Sequence, residues 1–267
     1  MDQASAPFGR LLRQWRQHRQ RSQLALALQA DVSTRHLSWL ETGRAQPSRT
    51  MVLRLAEHLD VPLRERNSLL VAAGFSPLYA ERSLADPGMT VARDVLQRLL
   101  AAHEPWPALA VDRHWHLVTA NRMVPLLMAS ASPHLLAAPI NVLRLSLHPQ
   151  GLAPQVANLV AWRGHVLARL QRQAQVSADP VLRDLLQELR ELPLPAGTPA
   201  ATAPIQDQDV AVPLTLNSPL GVLNFITTIT VFGAAHDVTV SELAVETLLP
   251  ADESTAAALR ALRSTLG

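Results

Sequence analysis

SQLALALQADVSTRHLSWLETGRAQPS, residues 22–48, decides the fold of the N-terminal quarter of this chain. Ser22 and Ser33 each precede a short run with apolar residues at helical spacing, and a serine side chain in that place caps the first amides of a helix. The segment between the runs, residues 30–32, has the length of a tight turn. Two short helices joined by such a turn predict a helix-turn-helix unit.

The helical pattern continues on both sides of this stretch. The first predicted helix spans residues 8–20, Gly43 ends the third, Pro47-Ser48 begins the fourth, and Pro62 precedes a fifth that ends at Gly74. Residues 1–75 are therefore predicted to form an all-α domain of about five helices.

The remaining chain mixes helices with strands. The polar, Pro- and Gly-bearing segment 76–90 is the predicted linker, and residues 91–267 are predicted to form an α+β domain with an antiparallel sheet. Its predicted elements, in order, are a helix through Ala102, a hairpin over 108–119 that turns near Asp112, a helical region over 151–192 that breaks at Asp179-Pro180, a loop over 193–204, strands over 210–216, 221–232 and 237–249, and a helix over 252–266.

Composition limits the possible functions. Of the 267 residues 48% are hydrophobic, which excludes a wholly disordered protein, and the absence of cysteine excludes disulfides, thiolate zinc sites and cysteine nucleophiles. Residues 1–75 carry 11 Arg and 6 acidic residues, whereas the rest carries 13 Arg and 16. The basic part is the candidate polyanion binder. With no apolar stretch of membrane-spanning length, we expect a cytoplasmic protein without a membrane partner.

The quoted stretch resembles the lambda-repressor-like Xre/Cro family in its Gln-x-x-Leu-Ala, Val-Ser, Leu-Ser, Leu-Glu-x-Gly-Arg and Pro-Ser elements. The resemblance implies that the helix starting at Ser33 enters the major groove of double-stranded DNA. Thr34, Arg35, Ser38 and Trp39 would then contact bases, with Arg35 pairing with guanine, and Trp39 alternatively packing against a neighbouring helix. Asp31 stands where the family usually has a turn glycine.

The same resemblance implies a set of phosphate contacts. Gln23, at the start of the second helix, would donate to a phosphate, and Arg21, Arg44 and Arg49 would be further phosphate partners. Such contacts position the domain on DNA without selecting a sequence.

Four longer strings resemble the MmyB-like regulators, which carry a PAS-like C-terminal domain linked to fatty-acid-like ligands: LLVAAGFSPLYAERSL (69–84), HEPWPALAVDRHWHLVTAN (103–121), LGVLNFITTITVFGAAHDVTVSEL (220–243) and LLPADESTAAALRAL (248–262). This resemblance runs over nearly the whole chain. It implies a regulator whose C-terminal domain binds a small apolar effector.

Helices laid across a sheet can enclose an apolar cavity, although an ordinary filled core explains the same residues. The predicted lining residues are Met123, Leu127, Leu143, Val160, Trp162, Val166, Phe225 and Ile229. A ligand carboxylate at the mouth would need charged or amide donors, for which the candidates are Arg144, His148, Asn158 and Arg163.

No motif predicts an enzyme or a bound metal. A phosphate loop, nucleophile elbow, dinucleotide fingerprint and metalloprotease helix are all absent from the sequence, and nothing orients Asp237 and Glu242 as acid and base. His114 and His116 alternate along a strand but lack an obvious third ligand, and ten scattered histidines form no haem motif. Apart from the fatty-acid-like ligand, we expect no cofactor.

The sequence thus predicts a homodimeric, ligand-responsive transcription regulator, since one recognition helix covers few bases and dimers bind two half-sites. The alternative is a constitutive regulator whose C-terminal domain serves only dimerisation or protein interaction. The first hypothesis predicts a ligand-sized cavity, and the second predicts a solid core.

Overall fold

The computed structural model describes residues 7–195 and 212–265, and these divide into two compact units. The first unit contains the chain up to Ser83 together with Ala234–Ser241, and the second contains Leu84–Gly233 and the chain from Glu242 onward. Most of the loop predicted over 193–204 lies outside the described residues.

The first unit is built of five helices, as predicted. They are α1 (Pro7–His18), α2 (Gln23–Gln29), α3 (Thr34–Glu41), α4 (Arg49–His58) and α5 (Leu63–Ala72). Ser22, Ser33 and Ser48 cap α2, α3 and α4, each accepting a hydrogen bond from the amide three residues later at 3.0 to 3.2 Å. Each cap satisfies an amide that the helix leaves unpaired, so helix starts in this unit follow directly from the sequence.

The core of this unit holds one apolar stripe from each helix. Leu12, Leu26, Leu37, Leu55 and Leu70 are completely buried, one in each of the five helices. Burying a leucine side chain contributes about 1.5–3 kcal/mol, so this cluster supplies the main stabilisation of the unit.

The segment after α5 belongs to the helical unit and is not a free linker. The side chain of Asn67 accepts from the amides of Leu78 and Tyr79 at 2.9 and 3.0 Å and donates to the Tyr79 carbonyl at 2.7 Å. The Val238 amide donates to the Ala80 carbonyl at 2.8 Å. The helical unit therefore extends past the predicted boundary at residue 75 and includes a short segment from late in the chain.

The second unit contains a five-stranded antiparallel sheet with the strand order β2-β1-β5-β4-β3. The strands are β1 (Ala108–Val111), β2 (Leu117–Ala120), β3 (Leu214–Ser218), β4 (Gly221–Val231) and β5 (Ala244–Pro250). The described helices of this unit are α6 (Thr90–Ala102), α7 (Val124–Met128), α8 (Val142–Leu147), α9 (Leu159–Ser177), α10 (Pro180–Glu191) and α12 (Glu253–Thr265). The predicted α+β class with an antiparallel sheet is confirmed.

The central strand β5 is covered on both faces. On one face Val245 packs in a small cluster with Leu96 and Leu100 of α6. On the other face Leu248 belongs to the main core, which includes Trp162 of α9. Successive strand residues point to opposite faces, so Glu246 lies on the same face as Leu248.

The strand predicted over 237–249 is only partly correct. Residues Val238–Ser241 form α11, a single helical turn in the first unit, and β5 begins only at Ala244. Asp237 caps this turn, because its side chain accepts from the Thr239 amide at 2.9 Å. The β-branched residues of this segment favoured a strand, but the cap closes a helical turn instead.

Candidate DNA-binding surface and ligand cavity

Helix α3 presents a polar face to solvent. Thr34, Arg35 and Trp39 are exposed and Ser38 is half-buried, whereas Leu37 and Leu40 are completely buried. The exposed N-terminal cap, Ser33, accepts from the His36 amide at 3.1 Å. The residues predicted to contact bases therefore share one accessible face, and those predicted to be core are core.

Arg35 and Trp39 act as a pair on that face. The guanidinium carbon of Arg35 lies 4.5 Å from the centroid of the Trp39 ring, one helical turn away, and Trp39 is 36% exposed. Stacking on an aromatic face restrains a guanidinium without occupying its N–H donors. The indole therefore restrains the direction of the Arg35 N–H donors without forming a hydrogen bond to them.

A buried ion pair fixes α3 against α1. Arg16 donates from Nε to Glu41 Oε1 at 2.6 Å and from Nη2 to Glu41 Oε2 at 2.9 Å, and its Nη1 donates to the Arg21 carbonyl at 2.8 Å. Glu41 raises the pKa of Arg16 through these hydrogen bonds. The sequence pattern did not reveal this pair, although the glutamate belongs to the quoted Leu-Glu-x-Gly-Arg element.

Gln23, which was predicted to donate to a phosphate, contacts Glu41 in the structure. Its side-chain amide donates to Glu41 Oε2 at 2.8 Å, so this side chain completes the Arg16–Glu41 network. The other predicted phosphate partners, Arg21, Arg44 and Arg49, are exposed. Their exposed side chains suit contacts with a polyanion.

The second unit contains an apolar cavity between its sheet and helices. The space open to the centre of a water-sized sphere is about 80 Å³. The polar lining residues are Ser146, Arg169, Thr227 and Glu246, and the apolar ones are Pro107, Leu109, Val124, Leu127, Met128, Val142, Leu143, Leu145, Leu152, Trp162, Leu214, Leu216 and Leu248. Such a composition suits a ligand that is mostly apolar.

Three of the predicted apolar lining residues, Leu127, Leu143 and Trp162, do line this cavity. The other five, Met123, Val160, Val166, Phe225 and Ile229, do not. Met123, Val166 and Phe225 are fully buried in the core, whereas Ile229 is exposed near the end of β4. Periodicity identifies the buried face of an element but not the part of that face left unfilled.

The four predicted carboxylate-holding residues are not at the cavity. Arg144 forms a bidentate pair with Glu188 at 2.5 and 2.7 Å, and the Asn158 side chain donates to the Pro213 carbonyl at 2.7 Å. Arg163 donates to the carbonyls of Leu189 and Arg190 at 3.2 and 2.7 Å, and His148 Nδ1 accepts from the Gln150 amide. These side chains stabilise loops and helix ends.

The charged groups that do line the cavity are Arg169 of α9 and Glu246 of β5. Arg169 Nη1 donates to Glu246 Oε1 at 3.0 Å, and the guanidinium carbon lies 4.3 Å from the centroid of the Trp115 ring. Neither residue was among the predicted ligand-binding residues. The available signal was Glu246 itself, an acidic residue inside a mostly apolar strand, because a buried carboxylate requires a partner.

The sequence showed no obvious third metal ligand beside His114 and His116. In the structure Asp112, in the same β-hairpin, lies close to both. Ligand atoms of Asp112, His114 and His116 lie within 4.8 Å of one another. His116 Nδ1 is 3.0 Å from Asp112 Oδ2, and His114 Nε2 is 2.9 Å from Asp179 Oδ2. These hydrogen bonds, together with the amides that Asp112 caps, explain why the three side chains are close.

Two family models match the chain. The model of the MmyB-like transcription regulator ligand-binding domain matches residues 92–262, and a helix-turn-helix domain model matches residues 7–69. This chain belongs to the MmyB-like transcription regulators. A search of curated proteins found no match.

The two matches assign the two units of this MmyB-like regulator. The helix-turn-helix match covers nearly all of α1–α5, and the ligand-binding match covers every residue that lines the cavity. The protein is therefore a DNA-binding transcription regulator with a ligand-binding domain. Among its described residues, no helix is long and apolar enough to cross a membrane.

Proposed function

We propose that this protein is a homodimeric repressor or activator that binds its operator through α3 and responds to a small, largely apolar ligand of the fatty-acid type. The observation that carries the proposal is an apolar cavity in the ligand-binding domain of a chain that also has a helix-turn-helix unit. Such a protein acts in the cytoplasm, where its operator lies, and needs no enzymatic activity.

On DNA, α3 lies in the major groove with its N-terminal residues at the base edges. Arg35 pairs with the O6 and N7 acceptors of a guanine, held in direction by the Trp39 ring beneath it. Arg44, Arg49 and Arg21 contact phosphates. Two copies of the chain bind half-sites about 34 Å apart, so each α3 enters the same face of the duplex.

The ligand regulates by differential affinity. A molecule in the cavity changes DNA binding only if it binds one conformation of the protein more tightly than the other. The apolar lining favours a hydrocarbon tail, because leucine side chains of α8, β1, β3 and β5 surround it.

The DNA-binding part is tested on an operator selected from random duplexes by the full-length protein. Arg35→Ala is expected to lower affinity for the operator by about tenfold or more while leaving non-specific DNA binding nearly unchanged, because a bidentate arginine–guanine pair discriminates by about 1–3 kcal/mol. Arg44→Ala should weaken both kinds of binding alike and lower the salt dependence. Arg172→Ala, an exposed residue of α9, is the control. Equal loss of specific and non-specific binding in Arg35→Ala would contradict this role of α3.

A further inference from the structure

The turn between β1 and β2 brings one aspartate and two histidines together. Oxygen and nitrogen atoms of Asp112, His114 and His116 that can bind a metal lie within 4.8 Å of one another. Trp115, between the two histidines, is buried in the main core, whereas the side chains of Asp112, His114 and His116 are 38%, 17% and 31% exposed. An ion can therefore reach all three from solvent without any opening of the fold.

The spacing of these groups fits one metal ion. Ligand atoms of a tetrahedral zinc site lie about 3–3.5 Å apart, since each bond to the metal is about 2.1 Å long. His116 Nδ1 and Asp112 Oδ2 are already 3.0 Å apart. The ring centroids of His114 and His116 are 6.0 Å apart, against roughly 5 Å for two imidazoles on one tetrahedral ion, so a small rotation of the His114 ring completes the set.

Hydrogen bonds hold these side chains in place. Asp112 Oδ1 accepts from the amides of His114 and His116, both at 2.8 Å, which leaves Oδ2 to the ion. His114 Nε2 lies 2.9 Å from Asp179 Oδ2. A carboxylate hydrogen-bonded to the ring is the usual partner of a metal-binding histidine, because it orients the ring and raises its basicity.

The charges around the turn favour a cation of a particular class. Asp112 and Asp179 are both acidic, and the one arginine of the turn, Arg113, has its Nη1 3.6 Å from Glu242 Oε1, which offsets its charge. Two imidazoles and one carboxylate suit Zn²⁺ and the neighbouring first-row transition metals, whereas Mg²⁺ and Ca²⁺ prefer oxygen ligands.

We propose that Asp112, His114 and His116 form a site for a divalent transition metal, with Zn²⁺ as the best fit, water as the remaining ligand and Asp179 as the positioning residue for His114. The ion takes the place of the proton between Asp112 and His116, so that His116 binds through Nδ1 and carries its proton on Nε2. The sequence predicted no metal because two histidines on a strand showed no third ligand, which the turn supplies. None of these four residues lines the apolar cavity, so the site is independent of the proposed effector.

The test is titration calorimetry of ZnCl₂ into the full-length protein, without a histidine tag and freed of metal by a chelator that is then dialysed away, at pH 7. Wild type is expected to bind one Zn²⁺ per chain. His116→Gln and Asp112→Asn should each weaken binding by about tenfold or more, since each removes one of three protein ligands, and the asparagine keeps an oxygen to cap the amides. Asp179→Asn, which likewise keeps an oxygen for the Val181 amide, should weaken binding by about tenfold.

His134 and His148 provide the matched control. Their ring centroids are 5.8 Å apart, but among the described residues no third histidine or carboxylate ligand atom lies within 4.8 Å of both. His134→Gln should therefore leave the affinity for Zn²⁺ unchanged. Zn²⁺ should also raise the Tm of wild type and of His134→Gln but not that of His116→Gln, and Mg²⁺ at the same concentration should raise none of them.

The outcomes separate a built site from scattered surface histidines. A wild type that binds no Zn²⁺, or a His134→Gln variant that loses as much affinity as His116→Gln, would overturn the proposal and leave an adventitious ion only. Unchanged affinity in Asp179→Asn would remove Asp179 from the site. The proposed control of DNA binding by an apolar ligand stands or falls separately from these results.

Discussion

Asp31, in the turn between α2 and α3, has a backbone φ of +50°, in the left-handed region that favours glycine. Side chains with a Cβ adopt this region at a cost, which aspartate tolerates better than most residues. We predict that Asp31→Gly raises the free energy of unfolding of the helical unit by about 0.5–1 kcal/mol and that Asp31→Ala lowers it. Urea titration followed by hydrogen exchange in α2 and α3 measures both changes. Alanine and glycine variants of equal stability would show that the turn is not strained.

Glu41 is a second residue with a large expected effect, because the Arg16 guanidinium is buried against it. Glu41→Ala leaves that cation buried without its bidentate partner, which is expected to cost about 3–5 kcal/mol. The double variant Arg16→Met/Glu41→Leu should be markedly more stable than Glu41→Ala, since it removes both charges. A double-mutant cycle by chemical unfolding checks this. If the double variant is no more stable than Glu41→Ala, the stability lost in Glu41→Ala comes from the missing ion pair and not from the unpaired charge of Arg16.

At this scale the sequence predicts the outer face of α3 and three cavity residues, but not the ion pairs. Leu37 and Leu40 were predictable as core because they follow helical periodicity. Arg144 and Arg169 look alike in sequence, yet Arg144 forms two hydrogen bonds with Glu188 on α10, whereas Arg169 forms one with Glu246 on β5. Which donors find partners depends on side chains distant along the chain, and periodicity carries no information about them.

Among elements, α1 approaches α3 closely at Gly9. A Cβ on this glycine would lie 2.5 Å from the carbonyl oxygens of Leu40 and Glu41, which is too close for any side chain. Gly9→Ala is therefore expected to destabilise the helical unit by about 1–3 kcal/mol, despite the better helix propensity of alanine.

Gly164, in the interior of α9, is the matched control because a Cβ there meets nothing within 4 Å. Gly164→Ala should gain up to about 1 kcal/mol from helix propensity alone. Hydrogen exchange of the α1, α3 and α9 amides measures the two effects separately. Protection of α1 and α3 that is unchanged in Gly9→Ala would mean that these helices do not pack as closely as described.

Caps and breakers allowed several element boundaries to be predicted. The break between α9 and α10 follows Asp179-Pro180, and Ala178 there has a φ of +57°. The strand predicted over residues 237–241 was wrong because a capping aspartate outweighed the strand propensity of the valines that follow. Strand propensity is a weaker predictor of local structure than a side-chain hydrogen bond that caps a helical turn.

For the whole molecule, the proposed control of DNA binding by a ligand depends on a cavity that a ligand can enter. Leu127 of α7 lines it, whereas its neighbour Leu126 is 38% exposed and does not. We predict that Leu127→Trp fills the cavity and raises the Kd for 1-decanol by about tenfold or more, because an apolar ligand loses the space and contacts it needs. Leu126→Trp, with the same side chain one residue away, should leave the Kd unchanged. Equal affinities in the two variants would locate ligand binding elsewhere.

The charge difference between the first 75 residues and the rest marked the first part as the candidate polyanion binder. The extent of the cavity was not, since a filled core and a cavity require the same apolar residues and differ only in packing. Both alternatives for the second domain, effector binding and dimerisation alone, were therefore compatible with the sequence. A cavity favours the first.

The most direct test of the central claim is to purify the protein, extract part of the sample with organic solvent for mass spectrometry, and compare the operator Kd of the remaining protein before and after stripping. We expect a stoichiometric amphiphile in the extract and an operator Kd that changes several-fold on stripping and returns when the molecule is added back. An extract without ligand and an operator Kd that stripping leaves unchanged would contradict ligand control and favour a constitutive regulator.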